Sequence, residues 1–364
     1  MNIVFRVDAS STIGSGHVSR CLCLAHALTA AYTPIQNTQL SEDNPVVQCQ
    51  FICQDLPGNM ATVIANEGFT TNLLPHFAEH TESLDAQASL AVINQPIDLL
   101  IIDHYQLSKT YSSALRSRCR HIIVIDDLAN RVHDCDILID CNLLPKFTQR
   151  YQHLVKPSCL QLLGPEFALL RPEFYQAHRQ QTRSNILVFL GGGDSQNVTY
   201  TVLEALFSLQ VTLPKQTQID VVLGAANPWI DSLQKEFGHY QQINWHIQCD
   251  YMASLMANAF LAIGAGGSTH WERCVMQLPA LVVTVADNQI ATTQYLATLG
   301  ACAWLGTSEK LTSQHIATEL NKLLQSPELL ASMRQEAAKI IPKNAGITSI
   351  VREIKNLIGT QLHA

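Results

Sequence analysis

Three short loops carry most of the residue types with which this chain could do chemistry. In the first, Gly14 and Gly16 precede His17. Two glycines let the backbone turn sharply and leave room for a ligand, and a helix that starts there presents unpaired N–H groups and the positive end of its dipole. That environment disfavours an imidazolium, so His17 reads as a group able to accept a proton; the alternative is a histidine that helps to cap the helix. Residues 191–194 and 264–269 repeat the arrangement. Each loop could offer N–H groups to phosphate oxygens, although turns from strand to helix call for glycine in any case. In the third loop, Thr269-x-x-Glu272 fits a capping box. Equally, the Glu272 carboxylate could accept hydrogen bonds from two ribose hydroxyls. Asn288 and Gln289 follow the next apolar run, and their amides can donate and accept at sugar hydroxyl or acetamido groups.

The elements that must position these residues are legible as apolar runs. Residues 3–7 form a β-leaning run, the loop follows, and an Ala/Leu/Cys-rich segment with helical periodicity reaches residue 28. As a dinucleotide fingerprint this opening is incomplete, because Ser19 stands where a third small residue would allow close helix packing. Further runs lie at 46–53, 69–74, 98–103, 121–126 and 136–140, several of them continuous, as in a parallel sheet covered on both faces. Residues 37–45 are polar and read as a surface loop. From 161 the text changes to two prolines and a polar helical stretch, and strand and glycine loop begin again at 186, with later runs at 219–223, 259–263 and 280–285. The expected fold class is α/β: two Rossmann-like, doubly wound domains, 1–163 and 186–364, joined by a linker at 164–185, with ligand bound in a cleft between the carboxyl ends of both sheets. The last segment, 347–358, has helical periodicity but is not placed on either domain by the sequence alone, and is counted with 186–364 by chain order.

Composition bounds the alternatives. A chain of 364 residues has room for two cores, and 47% apolar with 15% charged residues describes a well-buried globule. A net charge of -7 without a Lys/Arg cluster argues against nucleic acid or an anionic membrane as partner. Eleven cysteines, an odd number with no C-x-x-C pair, favour reduced buried thiols over a disulfide frame or zinc site. No targeting pattern and no membrane span are read, so a cytoplasmic protein is expected, as a monomer or weak oligomer.

The pattern Arg6-x-Asp8-x-Ser10-x-x-Ile13-Gly14-x-Gly16-His17-x-x-Arg20-Cys21 resembles the opening of the UDP-2,4-diacetamido-2,4,6-trideoxy-β-L-altropyranose hydrolases of pseudaminic acid biosynthesis. The resemblance continues through Asp103-His104-Tyr105, residues 125–140, 162–174, 189–197 and 264–274, and into Asn288-Gln289. It implies the two-domain GT-B architecture and release of UDP by water attack at the anomeric carbon with inversion, without metal or other cofactor. On this resemblance His17 is the catalytic base. Tyr105, Arg171 and Asn288 line the sugar and diphosphate, and Glu272 meets the ribose. Arg6, Asp8, Gly14, Gly16, Gly192, Gly266, Ser268, Thr269 and Gln289 complete the expected substrate-binding set. A good leaving group explains how one base can suffice where glycosidases use two carboxyl groups.

Other features point less clearly. Asp134-x-Asp136 looks like a metal-binding D-x-D but precedes an apolar strand and lacks further ligands. Asp126 and Asp127 read as turn and cap residues. His76, His80, His121 and His239 show no ligand spacing, and Trp271 and Trp304 read as core or wall. Two rival functions stay open: a GT-B glycosyltransferase using a UDP-sugar donor, and a non-catalytic UDP-sugar sensor with no need of His17.

Overall fold

The structure is a computed structural model that describes residues 1–33, 47–176, 183–207, 211–225, 227–342 and 345–359. The polar segment 37–45 and part of the helical stretch after the two prolines lie outside the described residues. Contacts divide the chain into two compact units, Met1–Asn142 with Lys146–Leu170 and Asn344–Ala364, and Leu143–Pro145 with Arg171–Lys343.

The first unit is built on β1 (Asn2–Val7), β2 (Gln48–Gln54), β3 (Thr70–Leu74), β4 (Ile97–Asp103), β5 (Cys119–Ile125), β6 (Ile137–Asp140) and β7 (Leu160–Leu163). All pair in parallel, in the order β3-β2-β1-β4-β5-β6-β7. Side chains on both faces of the central strands are buried: Phe5 and Ile101 lie in one core, and Val4 and Leu100 in the other. This is why those strands read as continuous apolar runs. The second unit repeats the scheme with β8 (Asn185–Phe189), β9 (Ile219–Leu223), β10 (Ile243–Ile247), β11 (Ala259–Ala265), β12 (Ala280–Thr284) and β13 (Ala303–Thr307), ordered β10-β9-β8-β11-β12-β13.

In each sheet the strand order reverses beside its first strand, between β1 and β4 and between β8 and β11. Ligands of such folds bind outside the carboxyl ends at these reversals. Val7 is in register with Asp103, and Phe189 with Gly264, so in both units the loops singled out from sequence leave the sheet at that point.

Three strands were not anticipated. β7, β10 and β13 are short, with Leu160 and Ile247 exposed and most of β13 only half-buried, so no continuous apolar run marks them. The unit boundaries also differ from those read in the sequence. Residues 164–170 stay with the first unit, where Gly164 at φ +109 turns β7 into the helical turn Pro165–Phe167. The helix Ile347–Gly359, counted with the second domain from sequence order, belongs to the first: Ile347, Ile350, Val351 and Ile354 join Ile3, Phe5, Leu24 and Leu28 in one core. An amphipathic stripe shows that a helix packs, not on which surface. Among the described residues no helix is long and apolar enough to cross a membrane, and all eleven cysteines are free thiols.

Candidate active site

The loop between β1 and the helix Gly16–Tyr32 is shaped by its own short bonds. Ser10 Oγ accepts from the N–H groups of Thr12 (3.2 Å) and Ile13 (3.0 Å), and Gly14, at φ +82, donates to the Ser10 carbonyl at 2.8 Å. A Cβ built on Gly14 or Gly16 would meet nothing within 4 Å. At Gly14 the backbone angle requires glycine; at Gly16 no neighbour in the chain does, and the space beside it is open. The helix starts at Gly16 with no side-chain cap, which leaves the first N–H groups available.

His17 turns away from the cap role. Its Nδ1 lies 2.6 Å from Asp103 Oδ1 at the end of β4. Arg20 Nη2, which only donates, also lies 3.1 Å from this nitrogen, but the shorter contact is to an ionised carboxylate oxygen that only accepts. The ring proton is therefore assigned to Nδ1, and the Nε2 lone pair is left as the acceptor. Arg20, one turn along the same helix, clamps the carboxylate from the other side, with Nε and Nη2 each 2.5 Å from its oxygens. Burial opposes charge on Asp103, but Arg20 and His17 outweigh it and hold its carboxyl well below the usual range. The imidazole is therefore fixed in orientation and tautomer by an ionised, buried carboxylate. Tyr105 stands edge-on to the His17 ring with centroids 4.5 Å apart, and its hydroxyl donates to Asp127 Oδ2 at 3.1 Å. Arg20 Nη1 reaches the same oxygen at 3.3 Å, while Asp127 Oδ1 is buried with no hydrogen-bond partner among the described residues.

Arg6 and Asp8, expected to touch substrate, are instead internal. Arg6 is fully buried, and its five donor positions are used by Asp85 (Nε, 2.9 Å; Nη2, 2.6 Å), Asp8 (Nη1, 2.5 Å; Nη2, 3.1 Å) and the Ile52 carbonyl. Asp8 also accepts from Gln54 N at 2.7 Å and His104 Nε2 at 2.9 Å. A charged pair inside a strand that faces a covering helix must satisfy itself, and this one has no donor left for a ligand. Asp126 accepts from Ala129 N and the Tyr151 hydroxyl, a turn and core role; Asp127 is the one that faces Tyr105 and Arg20. Asp134 and Asp136 are paired with Arg116 and Lys156, so the D-x-D is a structural ion-pair cluster.

In the second unit the loops behave differently from one another. After β8, Gly191 turns at φ +92, and Gly192 packs against Gly224 so closely that a Cβ there would lie 2.3 Å from its carbonyl oxygen. The helix Val198–Phe207 that follows is capped from within: Asp194 accepts from Val198 N (2.8 Å) and Thr199 N (2.9 Å). These N–H groups are thus taken, and the phosphate role expected for this loop loses them. The helix Thr269–Met276 after β11 carries no side-chain cap, although its His270 and Trp271 N–H groups donate to the Gly267 and Ser268 carbonyls at 3.0 Å. Thr269 is its first residue rather than its cap, with the hydroxyl donating back to the Ala265 carbonyl at 3.1 Å, so the capping-box reading of Glu272 fails. The Glu272 carboxyl is raised to about 7 by burial, against Arg171 and Arg273. Arg171 donates to the Asp250 carbonyl (3.1 Å), pairs with Glu173 (3.0 Å) and lies over the Phe174 ring. Asn288 sits in the first turn of the uncapped helix Asp287–Thr298. Gln289 is a strut: its Oε1 accepts from Val285 N at 3.0 Å, and a Cβ on Gly266 would press within 3.0 Å of its Cβ. A side chain at Gly266 would thereby crowd Gln289 and Thr293, and at Gly267 φ +95 favours glycine.

All three of Asp103, Arg20 and Asp127 lie in the motifs read from sequence, yet Asp103 and Arg20 were given no role there and Asp127 only that of a turn or cap residue. The available signal was an acidic residue closing an apolar strand and an arginine one helical turn beyond His17.

Residues 185–352 match the family described as Glycosyltransferase family 28 C-terminal domain. Over 304 residues, 82% of this chain and 97% of the relative, the sequence is 28% identical to the UDP-2,4-diacetamido-2,4,6-trideoxy-beta-L-altropyranose hydrolase of Campylobacter jejuni, which bears out the resemblance read from the motifs. It is also 28% identical over 198 residues, 53% of this chain and 58% of the relative, to the spore coat polysaccharide biosynthesis protein SpsG of Bacillus subtilis. Among solved structures, Acinetobacter baumannii MurG matches with a TM-score of 0.62 at 15% identity, covering 98% of this chain and 99% of that one. Anabaena HepE in complex with UDP-glucose matches with a TM-score of 0.57 at 14% identity, covering 99% and 100%. At such identities the structural likeness carries the fold, which is the pair of Rossmann-like α/β units of the GT-B class.

Proposed function

We propose that this chain is a metal-independent, cytoplasmic hydrolase that releases UDP from UDP-2,4-diacetamido-2,4,6-trideoxy-β-L-altropyranose, a step of pseudaminic acid biosynthesis. The observation that carries the reading is the His17–Asp103–Arg20 arrangement: a lone pair on Nε2 at an uncapped helix N-terminus, backed by a buried ionised carboxylate. His17 Nε2 takes a proton from water, the water oxygen bonds to the anomeric carbon, and the bond from that carbon to the diphosphate oxygen breaks with its electron pair leaving on UDP. Asp103 stabilises the imidazolium so formed. Attack opposite the leaving group inverts the anomeric centre. Tyr105 and the open space beside Gly14 and Gly16 are assigned to the sugar. Arg171, Asn288, Ser268 and the uncapped helix at Thr269 are assigned to the diphosphate, and Glu272 to the ribose. The fully thiol cysteine set fits a reducing compartment.

The family 28 match favours one second reading, transfer of the sugar to an acceptor hydroxyl that the same base would deprotonate. An NMR time course with the diacetamido sugar nucleotide in EDTA separates the two. The expected products are UDP and the free sugar, first as the inverted anomer, with a His17→Leu variant that still binds UDP and turns over very slowly. Near-normal turnover by that variant would sink the base assignment; a stable substrate consumed only when an acceptor is added would replace hydrolysis by transfer.

A further inference from the structure

Arg273 is 4% exposed, yet no carboxylate among the described residues pairs with it. Its guanidinium folds back along the helix Thr269–Met276 to the turn from β11. There Nη2 donates to the Ala265 carbonyl (3.0 Å) and to His270 Nδ1 (3.1 Å), and Nη1 reaches Thr269 Oγ1 (3.4 Å). A Cβ built on Gly264 would come within 3.2 Å of Nη1, so the cation lies directly beneath the glycine loop. Because arginine only donates, His270 Nδ1 is the acceptor, and His270 Nε2–H donates to Thr293 Oγ1 at 2.8 Å. The Thr293 hydroxyl then donates to the Gln289 carbonyl at 2.7 Å. This directional chain joins the helices on both sides of the loop, and every acceptor in it is neutral. The small cavity that Arg273 helps to line is otherwise apolar apart from His270, Cys274 and Cys302, and burial pushes both thiols up to about 12, so it supplies no anion.

Glu272, next in the chain, acts on this cation only through space, and burial holds its own carboxyl up to about 7. No ionised carboxylate is thus in hydrogen-bond contact with the guanidinium among the described residues. A buried cation so placed is costly, and burial accordingly lowers the Arg273 pKa. Two sources of positive potential, the guanidinium and the uncapped N-terminus of the helix, converge on one loop that contains no acid. We propose that Arg273 is a positioning residue for the diphosphate: the missing counter-charge is the anionic group of the ligand, seated on residues 264–268, whose backbone the guanidinium holds from beneath. The inference rests on the nucleotide-sugar reading and adds to it a buried residue that meets the ligand only through the loop.

The test is the ratio of UDP to uridine affinity, measured by calorimetry on the full chain together with the melting temperature of the unliganded protein. Removing the charge in Arg273→Met should cut that ratio at least ~10-fold, leave uridine binding within about twofold, and leave the unliganded melting temperature equal or higher. Arg273→Gln, which retains a donor for the Ala265 carbonyl, should lose the same ratio, and Arg273→Lys should keep it within about threefold. An arginine with only a structural role gives the reverse, a lower melting temperature with the ratio unchanged. An unchanged ratio in either folded charge-free variant, or an equal loss in Arg273→Lys, overturns the proposal for Arg273 alone. If the wild type binds neither UDP nor uridine, the nucleotide reading falls and this inference with it.

Discussion

At the scale of single residues, the active side chain matters less than what holds it. His17 stood out because it followed two glycines, but Asp103, 86 positions away, decides its tautomer. Asp103→Asn keeps the shape of the contact and removes the charge that stabilises imidazolium. We expect kcat to fall by about two to four orders of magnitude with UDP affinity within about twofold, by steady-state kinetics and calorimetry. Partnership of that range is invisible in a single sequence, because only the register of β4 beside β1 brings the two together. Glu272 was left between cap and ligand by sequence, and the structure removes the cap. With its carboxyl raised to about 7 from an unfolded value of ~4.3, the native state holds the extra proton between those values, so stability falls as pH rises through that window. Glu272→Gln should therefore raise the unliganded melting temperature at pH 8 and weaken uridine binding. In the wild type uridine should bind more tightly as pH rises through about 7, a dependence the variant lacks. A lower melting temperature with unchanged uridine affinity would return Glu272 to a structural role. Arg6 gives the opposite lesson: the resemblance suggested a ligand contact, and burial makes it scaffold. Asp85→Asn should cost about 3–5 kcal/mol in chemical denaturation, because it leaves the Arg6 guanidinium short of charge inside the first core.

Elements are where the sequence was most readable, and its failures have a common cause. Strands buried on both faces announce themselves as apolar runs, so the central strands of both sheets were found within a few residues. β7, β10 and β13 expose one face or lie at an edge, where nothing forces the run to be continuous. The C-terminal helix was visible as a helix but not as a part of the first unit, since its partners Leu24 and Leu28 lie more than three hundred positions earlier. That placement has a measurable consequence. Ile354 is fully buried in the core around Phe5, and Ile354→Ala should cost about 2–5 kcal/mol. All four tryptophans, Trp229, Trp245, Trp271 and Trp304, lie in the second unit. Hydrogen exchange should accordingly show lost protection in β1 and β4, with β8, β11 and the tryptophan emission of the native state unchanged. Loss confined to β8 and β11 would mean that the helix serves the other unit.

For the molecule as a whole, the two units repeat one topology but differ in what their loops offer. The first places a polarised histidine at an uncapped helix, and the second places a helix with no side-chain cap over an arginine that no carboxylate pairs with among the described residues, while its other glycine loop is sealed by Asp194. Under the proposed function this is a division of labour: chemistry in one unit, nucleotide recognition in the other. The division predicts how substitutions combine. Asp103→Asn acts on a proton transfer made only in the transition state, so it should lower kcat and kcat/KM together. Glu272→Gln removes binding shared by ground and transition states, and should raise KM about tenfold or more with kcat nearly constant. If the two act on separate steps, the double variant loses in kcat/KM the product of the single losses, with a coupling free energy below ~0.5 kcal/mol. Coupling well above that would mean that ribose contacts are used to position the anomeric carbon against His17, and that the units work as one device in catalysis.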